Sequence, residues 1–321
     1  MSHDESHDII SREPRLGKKR NPWATKLEVA TEYQRRSQAN YPFGNLSTVD
    51  LKTTFGVKSS SRAYFINLAD GNRLGAWHIL PSGQSFGRSL APAEADKFFS
   101  TPNSPILLYL HGNSFNRAHS HRVSLYNVMT DAGFQVIALD YRGFGDSTGT
   151  PSEKAIVEDI VTIYRQLKDS AGSNPIIVFG HSLGTALGSG AVRRLCLEGD
   201  CPAGLILESG FNNFTSLVRV IRVARMFRPL PFFDAMLIGV PRRYLDIHFN
   251  TDENIAGITC PTLMLHTEDD NIVPPRLAEL LFEAAKSRHP PQYSEMVMYR
   301  AEHGYGHIDL WKDPEFGERL R

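Results

Sequence analysis

Cysteine is scarce. Cys196, Cys201 and Cys260 are the only ones in 321 residues, and none forms a C-x-x-C pair. An odd count without a secretory leader predicts reduced thiols. Long apolar runs are missing as well: no window approaches the ~18 consecutive apolar residues of a membrane span. The opening Met-Ser-His-Asp-Glu-Ser-His-Asp lacks the apolar centre of a signal peptide. Asn45-Leu-Ser and Asn213-Phe-Thr are therefore glycosylation sequons by pattern only. Charge of one sign is also lacking. Lys+Arg and Asp+Glu stand at 35 each, which removes the basic excess of a nucleic-acid-binding chain. What is present is 41% hydrophobic residues, enough to build a core. The length exceeds that of an average domain, but α/β folds often reach ~250 residues as one unit, and a tail and a lid would absorb the rest.

Strand-like and helix-like segments alternate. Residues 1–22 are charged and turn-rich and read as a disordered tail, and 23–60 as an irregular lead-in to a single domain over 23–321. Residues 63–68 and 73–80, joined across Asp70-Gly71, predict an antiparallel hairpin. Residues 82–103 read as a polar surface loop. Then follow strand 105–110, helix 119–131, strand 134–139, helix 151–169, strand 175–180, helix 183–197 and strand 204–208, with late strands from 261 and over 294–299. That order predicts a mostly parallel, doubly wound α/β sheet. Thr150-Pro151-Ser152-Glu153 reads as a capping box with proline at the first helical position. Residues 211–250 interrupt the alternation and predict a short helical lid. It mixes apolar groups such as Leu217, Phe232, Phe233 and Met236 with Arg219, Arg222, Arg225, Arg228, Arg242 and Arg243.

The strongest chemical signal is Gly180-His181-Ser182-Leu183-Gly184, preceded by the apolar run Ile176–Phe179 and followed by small residues. A G-x-S-x-G between a strand and a helix is a nucleophile elbow: the turn lifts the serine hydroxyl clear of the sheet beside a helix N-terminus. Leu110 is followed by His111-Gly112-Asn113, where the Asn113 N–H can join the Leu183 N–H as an oxyanion donor. His111 itself reads as a residue that shapes the loop. The acid is sought after the strand at 261–266, in Glu268-Asp269-Asp270-Asn271-Ile272-Val273-Pro274. Loop position favours Asp270, with Asp269 as a turn cap. The base must lie further on, at His303 or His307, while His289 reads as a surface-loop residue. Ser…Asp…His is the chain order of hydrolases with this elbow.

Two other patterns are set aside. Asp140-Tyr141-Arg142-Gly143-Phe144-Gly145-Asp146-Ser147 is glycine-rich but lacks the Gly-Lys-Ser/Thr ending of a phosphate loop. It reads as the turn after strand 134–139. His119 and His121 stand two apart near a helix start, with no further ligand in sequence to complete a metal set. Neither a metal nor a cofactor is expected.

Residues from about 104 to 311 resemble the membrane-associated serine hydrolases of the α/β-hydrolase-domain type, the lysophosphatidylserine and monoacylglycerol lipases. The resemblance rests on Tyr-Leu-His-Gly-Asn (109–113), Ser-His-Arg-Val (120–123), Asp-Tyr-Arg-Gly-Phe-Gly-Asp-Ser-Thr-Gly-Thr-Pro-Ser-Glu (140–153) and Gly-His-Ser-Leu-Gly-Thr (180–185). Leu-Ile-Leu-Glu-Ser (205–209), Asp-Glu-Asn (252–254) and Glu-Asp-Asp-x-x-Val-Pro (268–274) extend it in the same order. It implies an α/β-hydrolase fold and a triad of Ser182, Asp270 and His307, the last because Gly-Tyr-Gly-His matches the family's Gly-Tyr-x-His. It also implies a lipid ester substrate. The lid's mixture of apolar groups and arginines fits either an ordinary cap whose arginines face water or a lipid-facing entrance in peripheral contact with a membrane. The lack of a leader and of an apolar span, a departure from the membrane-anchored family pattern, predicts a cytoplasmic or internal-membrane location. A thioesterase or small-ester carboxylesterase would use the same triad. A non-enzymatic binding protein on this fold is the remaining reading.

Overall fold

Period-two alternation in the strands sends side chains to two different cores, and this organises the molecule. The computed structural model describes residues 50–87, 92–220, 229–230, 232–244, 246–287 and 293–320. Eight strands form one sheet in the order β1-β2-β4-β3-β5-β6-β7-β8. These are β1 (Ser61–Asn67), β2 (Arg73–Ile79), β3 (Ile106–Leu110), β4 (Gln135–Leu139), β5 (Ile176–His181), β6 (Gly204–Glu208), β7 (Thr262–Thr267) and β8 (Ser294–Tyr299). β1 pairs antiparallel with β2, and β2 with β4, while all pairs from β4 to β8 are parallel. This is the architecture expected from the sequence, hairpin included.

The main helices are α1 (Leu51–Phe55), α2 (Ser120–Asp131), α3 (Glu153–Ser170), α4 (Leu183–Leu197), α5 (Phe214–Val220) and α6 (Pro275–Lys286). Ile106, Leu108 and Leu110 face one core together with Ile160 and Ile163 of α3, Ala191 and Leu195 of α4 and Leu281 of α6. Leu107 and Tyr109 face the other, with Val123, Tyr126 and Met129 of α2 and the C-terminal Leu310, Phe316 and Leu320. Both faces of the parallel strands are thus covered, which is why those strands read as unbroken apolar runs.

Several local expectations need correction. The lead-in contains α1, whose Asp50 side chain caps the Lys52 N–H and whose Leu51 is buried. The insertion at 82–103 is not merely a polar loop: Asp96–Ser100 form a 3₁₀ turn, and buried Phe99 stacks on His78 with ring centroids 4.3 Å apart. At α3, Ser152 is the N-cap and accepts from the Ala155 N–H, so Pro151 lies outside the helix. Glu153 is then the first helical residue rather than the third, too early to reach back to the cap. Its carboxylate instead accepts from the backbone N–H groups of His248 (2.7 Å) and Phe249 (3.0 Å). The cysteines differ too. Cys196 and Cys201 form a disulfide and Cys260 is free and buried. Their pairing follows from chain geometry: Gly199, at φ +78°, turns the chain back at the end of α4. The three sulfurs lie within 4.8 Å of one another.

The interrupting segment at 211–250 holds α5, a π-helical turn at Ala235–Gly239 and a helical turn at Val240–Tyr244. The tail at 1–22, the Asn45 sequon, His289 and the lid residues Arg222, Arg225 and Arg228 lie outside the described residues. Among the described residues no helix is long and apolar enough to cross a membrane.

Candidate active site

The C-terminal ends of β3, β5, β7 and β8 lie along one edge of the sheet, and the turns that leave them hold Asn113, Ser182, Asp270 and His307. Ser182 links β5 to α4 at φ +53°, ψ −114°. A side chain rarely tolerates such a backbone, so the surroundings must impose it. They do: a Cβ on Gly184 would lie 2.1 Å from the Leu110 carbonyl oxygen, and one on Gly180 would lie 2.4 Å from the Gly184 oxygen. Helix α4 can approach β3 this closely only with glycine at 184, and β5 only with glycine at 180.

Ser182 Oγ stands 3.0 Å from His307 Nε2, and His307 Nδ1 stands 2.7 Å from Asp270 Oδ2. The other carboxylate oxygen, Oδ1, accepts from the Ile272 and Val273 N–H groups, each at 2.9 Å. Asp270 therefore caps its own turn and orients the imidazole at once. Burial alone would raise its pKa, but the hydrogen bond and charge of His307, with the Val273 N–H, outweigh burial and lower it. The neighbouring His266 donates from Nε2 to the Val273 carbonyl at 2.9 Å. Burial keeps its pKa low, so it serves as a neutral support.

Asp269 does not cap its own turn as expected. Its Oδ2 accepts from the Gly306 N–H across the site, at 3.0 Å, because the His307 loop returns over the end of β7. Thr267 Oγ1 donates to the Gly306 carbonyl at 2.8 Å, and His181 Nε2 donates to the His307 carbonyl at 2.9 Å. Ser209, itself at φ +53°, donates to the same carbonyl at 3.3 Å. These supports are 39 to 126 residues from their partners in sequence, and no local pattern reveals them. His303 is exposed and stacks on Tyr305, with centroids 5.3 Å apart and no contact with Ser182.

On the β3 side, a Cβ on Gly112 would stand 3.3 Å from Ser182 Cβ, so the loop carrying Asn113 abuts the serine. Leu183 is the first residue of α4, directly after it. His111 is buried, with Nδ1 donating to the Gly112 carbonyl (2.7 Å) and Nε2 3.3 Å from Asp140. Burial first, and then the charge of Arg122, lower its pKa. The glycine-rich turn after β4 packs behind this loop: Arg117 bridges Asp140 and Asp146. His119, the N-cap of α2, has an extended backbone, so its ring reaches His121 Nδ1 at 2.7 Å despite the two-residue spacing.

An elbow serine hydrogen-bonded to a histidine, on a mostly parallel sheet with an antiparallel lead-in, defines a class of enzyme scaffold. The chain belongs to the alpha/beta hydrolase family, whose model matches residues 107–316. It is 37% identical over 258 residues to lysophosphatidylserine lipase ABHD12 of Danio rerio, covering 78% of this chain and 66% of that protein. For the Rattus norvegicus lipase of the same name it is 38% over 263 residues, 80% of this chain and 65% of that one. The chain thus spans just under two thirds of their length. Protein ABHD12B of Homo sapiens is 34% identical over 256 residues, 78% of this chain and 69% of that protein. Among solved structures, an alpha-beta hydrolase from Vibrio vulnificus shares the fold at TM-score 0.66 and 17% identity, covering 97% of each chain. The Pyrococcus furiosus esterase Pf2001 does so at TM-score 0.61 and 18% identity, covering 86% of this chain and 93% of that one.

Proposed function

We propose that this chain is a serine hydrolase that cleaves the carboxylic ester of a lipid, a lysophospholipid or a monoacylglycerol. The observation that carries the reading is the continuous hydrogen-bonded series Ser182–His307–Asp270 at a strained elbow. In this mechanism His307 Nε2 takes the Ser182 proton as Oγ adds to the ester carbonyl carbon. Asp270 accepts from the Nδ1–H, fixing the tautomer that leaves Nε2 free to act as base. The carbonyl oxygen, now an oxyanion, receives the backbone N–H groups of Asn113 and Leu183. His307 then gives its proton to the departing alcohol, leaving an acyl-Ser182 ester. Water adds with the same base, and the fatty acid leaves.

The lipid assignment is supported by the names of the similar lipases and by the lid. Leu230, Phe232 and Met236 are exposed there, with Phe232 at 77% of its full accessibility. Such residues suit an acyl chain or the boundary of a lipid layer better than water. Arg219, paired with Asp234 at 3.0 Å, and Arg242 stand on the same segment. The lid is thereby proposed as the peripheral membrane contact. The test is fluorophosphonate labelling of wild type and Ser182→Ala, followed by an ester series varied in chain length and headgroup. Loss of labelling and turnover in Ser182→Ala, with turnover rising along the acyl series, is the expected result. A flat profile would indicate a small-ester carboxylesterase, and labelling that persists would place the nucleophile elsewhere.

A further inference from the structure

The Ser-His-Arg-Val stretch at 120–123 places an arginine in α2 that the steps above do not use. Arg122 is 2% exposed. Its Nη1 donates to the Asn116 carbonyl at 2.5 Å, and its Nη2 to the carbonyls of Gly112, at 3.3 Å, and Ser114. Among the described residues no carboxylate pairs with it. Arg117, close by, contrasts with it in being held by Asp140 and Asp146. The guanidinium therefore gathers three carbonyl oxygens of one loop, the loop between β3 and α2.

We infer that Arg122 is a positioning residue for the oxyanion site, an inference that rests on the proposed serine-hydrolase reading. A trans peptide unit points its C=O and its N–H in opposite directions, and the described residues contain no cis peptide bond. The Gly112 carbonyl is drawn toward Arg122 and the His111 ring. The Asn113 N–H of that same peptide unit consequently faces the other way. Gly112, which abuts Ser182 Cβ, fixes the distance. The hold extends along the loop. Tyr141 Oη donates to the His111 carbonyl at 2.7 Å, and Phe115 is kept at φ +64°, a conformation a lone loop would leave. Arg122 also supplies charge. Burial, and then Arg122 itself, keep His111 and His121 below the ordinary imidazole range, so these rings stay neutral beside it. A buried guanidinium held by three carbonyl oxygens and paired with no carboxylate among the described residues leaves positive potential behind the loop that faces the reacting oxygen.

The experiment uses the full chain with Arg122→Lys, Arg122→Gln and Arg122→Met. Labelling by a fluorophosphonate, run to completion, counts correctly folded sites. Per labelled site, kcat and KM are then measured on a medium-chain lysophospholipid, with the inhibition constant of a matching trifluoromethyl ketone, which forms a tetrahedral adduct. The Gln and Met variants should lose roughly 10- to 100-fold in kcat with KM within about threefold. Ketone affinity should fall in step with kcat/KM. Lys keeps the charge but fewer carbonyl contacts and should lose less, about three- to tenfold. A purely structural arginine would lower the labelled fraction and leave kcat per site and ketone affinity unchanged, and that result overturns the inference. If the Gln and Met variants do not fold, a folded Lys variant with wild-type kcat and ketone affinity overturns it equally. A wild type that neither labels nor cleaves any ester defeats the serine-hydrolase reading and this inference together. An active wild type with unaffected variants defeats only the role of Arg122.

Discussion

Asp270 and Asp269 are adjacent, alike in chemistry and unlike in task. One oxygen of Asp270 meets the imidazole and the other closes its turn, so Asp270→Asn should lower kcat by several orders of magnitude by presenting the wrong group to Nδ1. His307→Ala should do the same. Asp269 only accepts the Gly306 N–H, a bond an asparagine oxygen can also accept. Asp269→Asn should therefore keep most activity, and so should His303→Ala, because His303 touches only Tyr305 among the rings. Steady-state kinetics on protein shown to be folded by circular dichroism and thermal unfolding check all four variants. A reversed pattern would move the acid and base to the neighbouring residues. The sequence made the acid legible through the Val-Pro turn. It could not show what Asp269 does, because that depends on a loop folding back from 37 residues away.

At the scale of elements, two contacts decide how closely parts approach. Gly184→Ala would place a methyl carbon 2.1 Å from a backbone oxygen of β3, and neither strand nor helix can yield cheaply. Overpacking of this kind typically costs ~1–3 kcal/mol, and the rigid backbone partner puts this site at the upper end. Urea denaturation of Gly184→Ala should show that loss, together with impaired labelling because the elbow shifts. The second contact is Glu153, which ties the start of α3 to the chain leaving the lid. Glu153→Ala leaves the His248 and Phe249 N–H groups without that acceptor, and a cost of about 1–3 kcal/mol is expected. Hydrogen exchange of those two amides should rise in the variant. Periodicity placed α3 to within two residues at its start and one at its end. The use of Glu153 was not legible, because its spacing imitates a capping box while the true cap sits one residue before it.

For the whole molecule, Glu208 at the end of β6 makes stability depend on pH. Burial first, and then the nearby Asp270 charge, push its pKa up to about 8 from 4.5. The folded chain thus keeps a proton that the unfolded chain releases above 4.5. The fold should lose stability as pH rises from about 4.5 to about 8, with no further loss from this group above that. Glu208→Gln removes the ionisation, so its melting temperature relative to wild type should be higher at pH 9 than at pH 5. An equal difference at both pH values would count against a protonated Glu208. The proposed lipid preference also belongs to this scale, because it joins lid to site. Each buried methylene adds ~0.8 kcal/mol of binding, so kcat/KM should climb with acyl length until the chain is fully enclosed.

What the sequence determined by itself is whatever local pattern can encode. Unbroken apolar runs in β3 to β6 demand a sheet covered on both faces. Gly180 and Gly184 around Ser182 demand a tight strand-to-helix turn, and the order serine, acid, histidine follows from the motifs along the chain, with His307 singled out from His303 only by the family resemblance. What only the tertiary structure decided is whatever depends on distant segments meeting. The disulfide between Cys196 and Cys201 contradicts the expectation of reduced thiols, since composition says nothing of how Gly199 turns the chain. His181, Ser209 and Thr267 grip the His307 loop through backbone carbonyls, and Arg122 grips the β3 loop in the same way. A carbonyl acceptor is present at every residue, so it leaves no mark in a sequence. Only the fold selects which oxygen meets which donor.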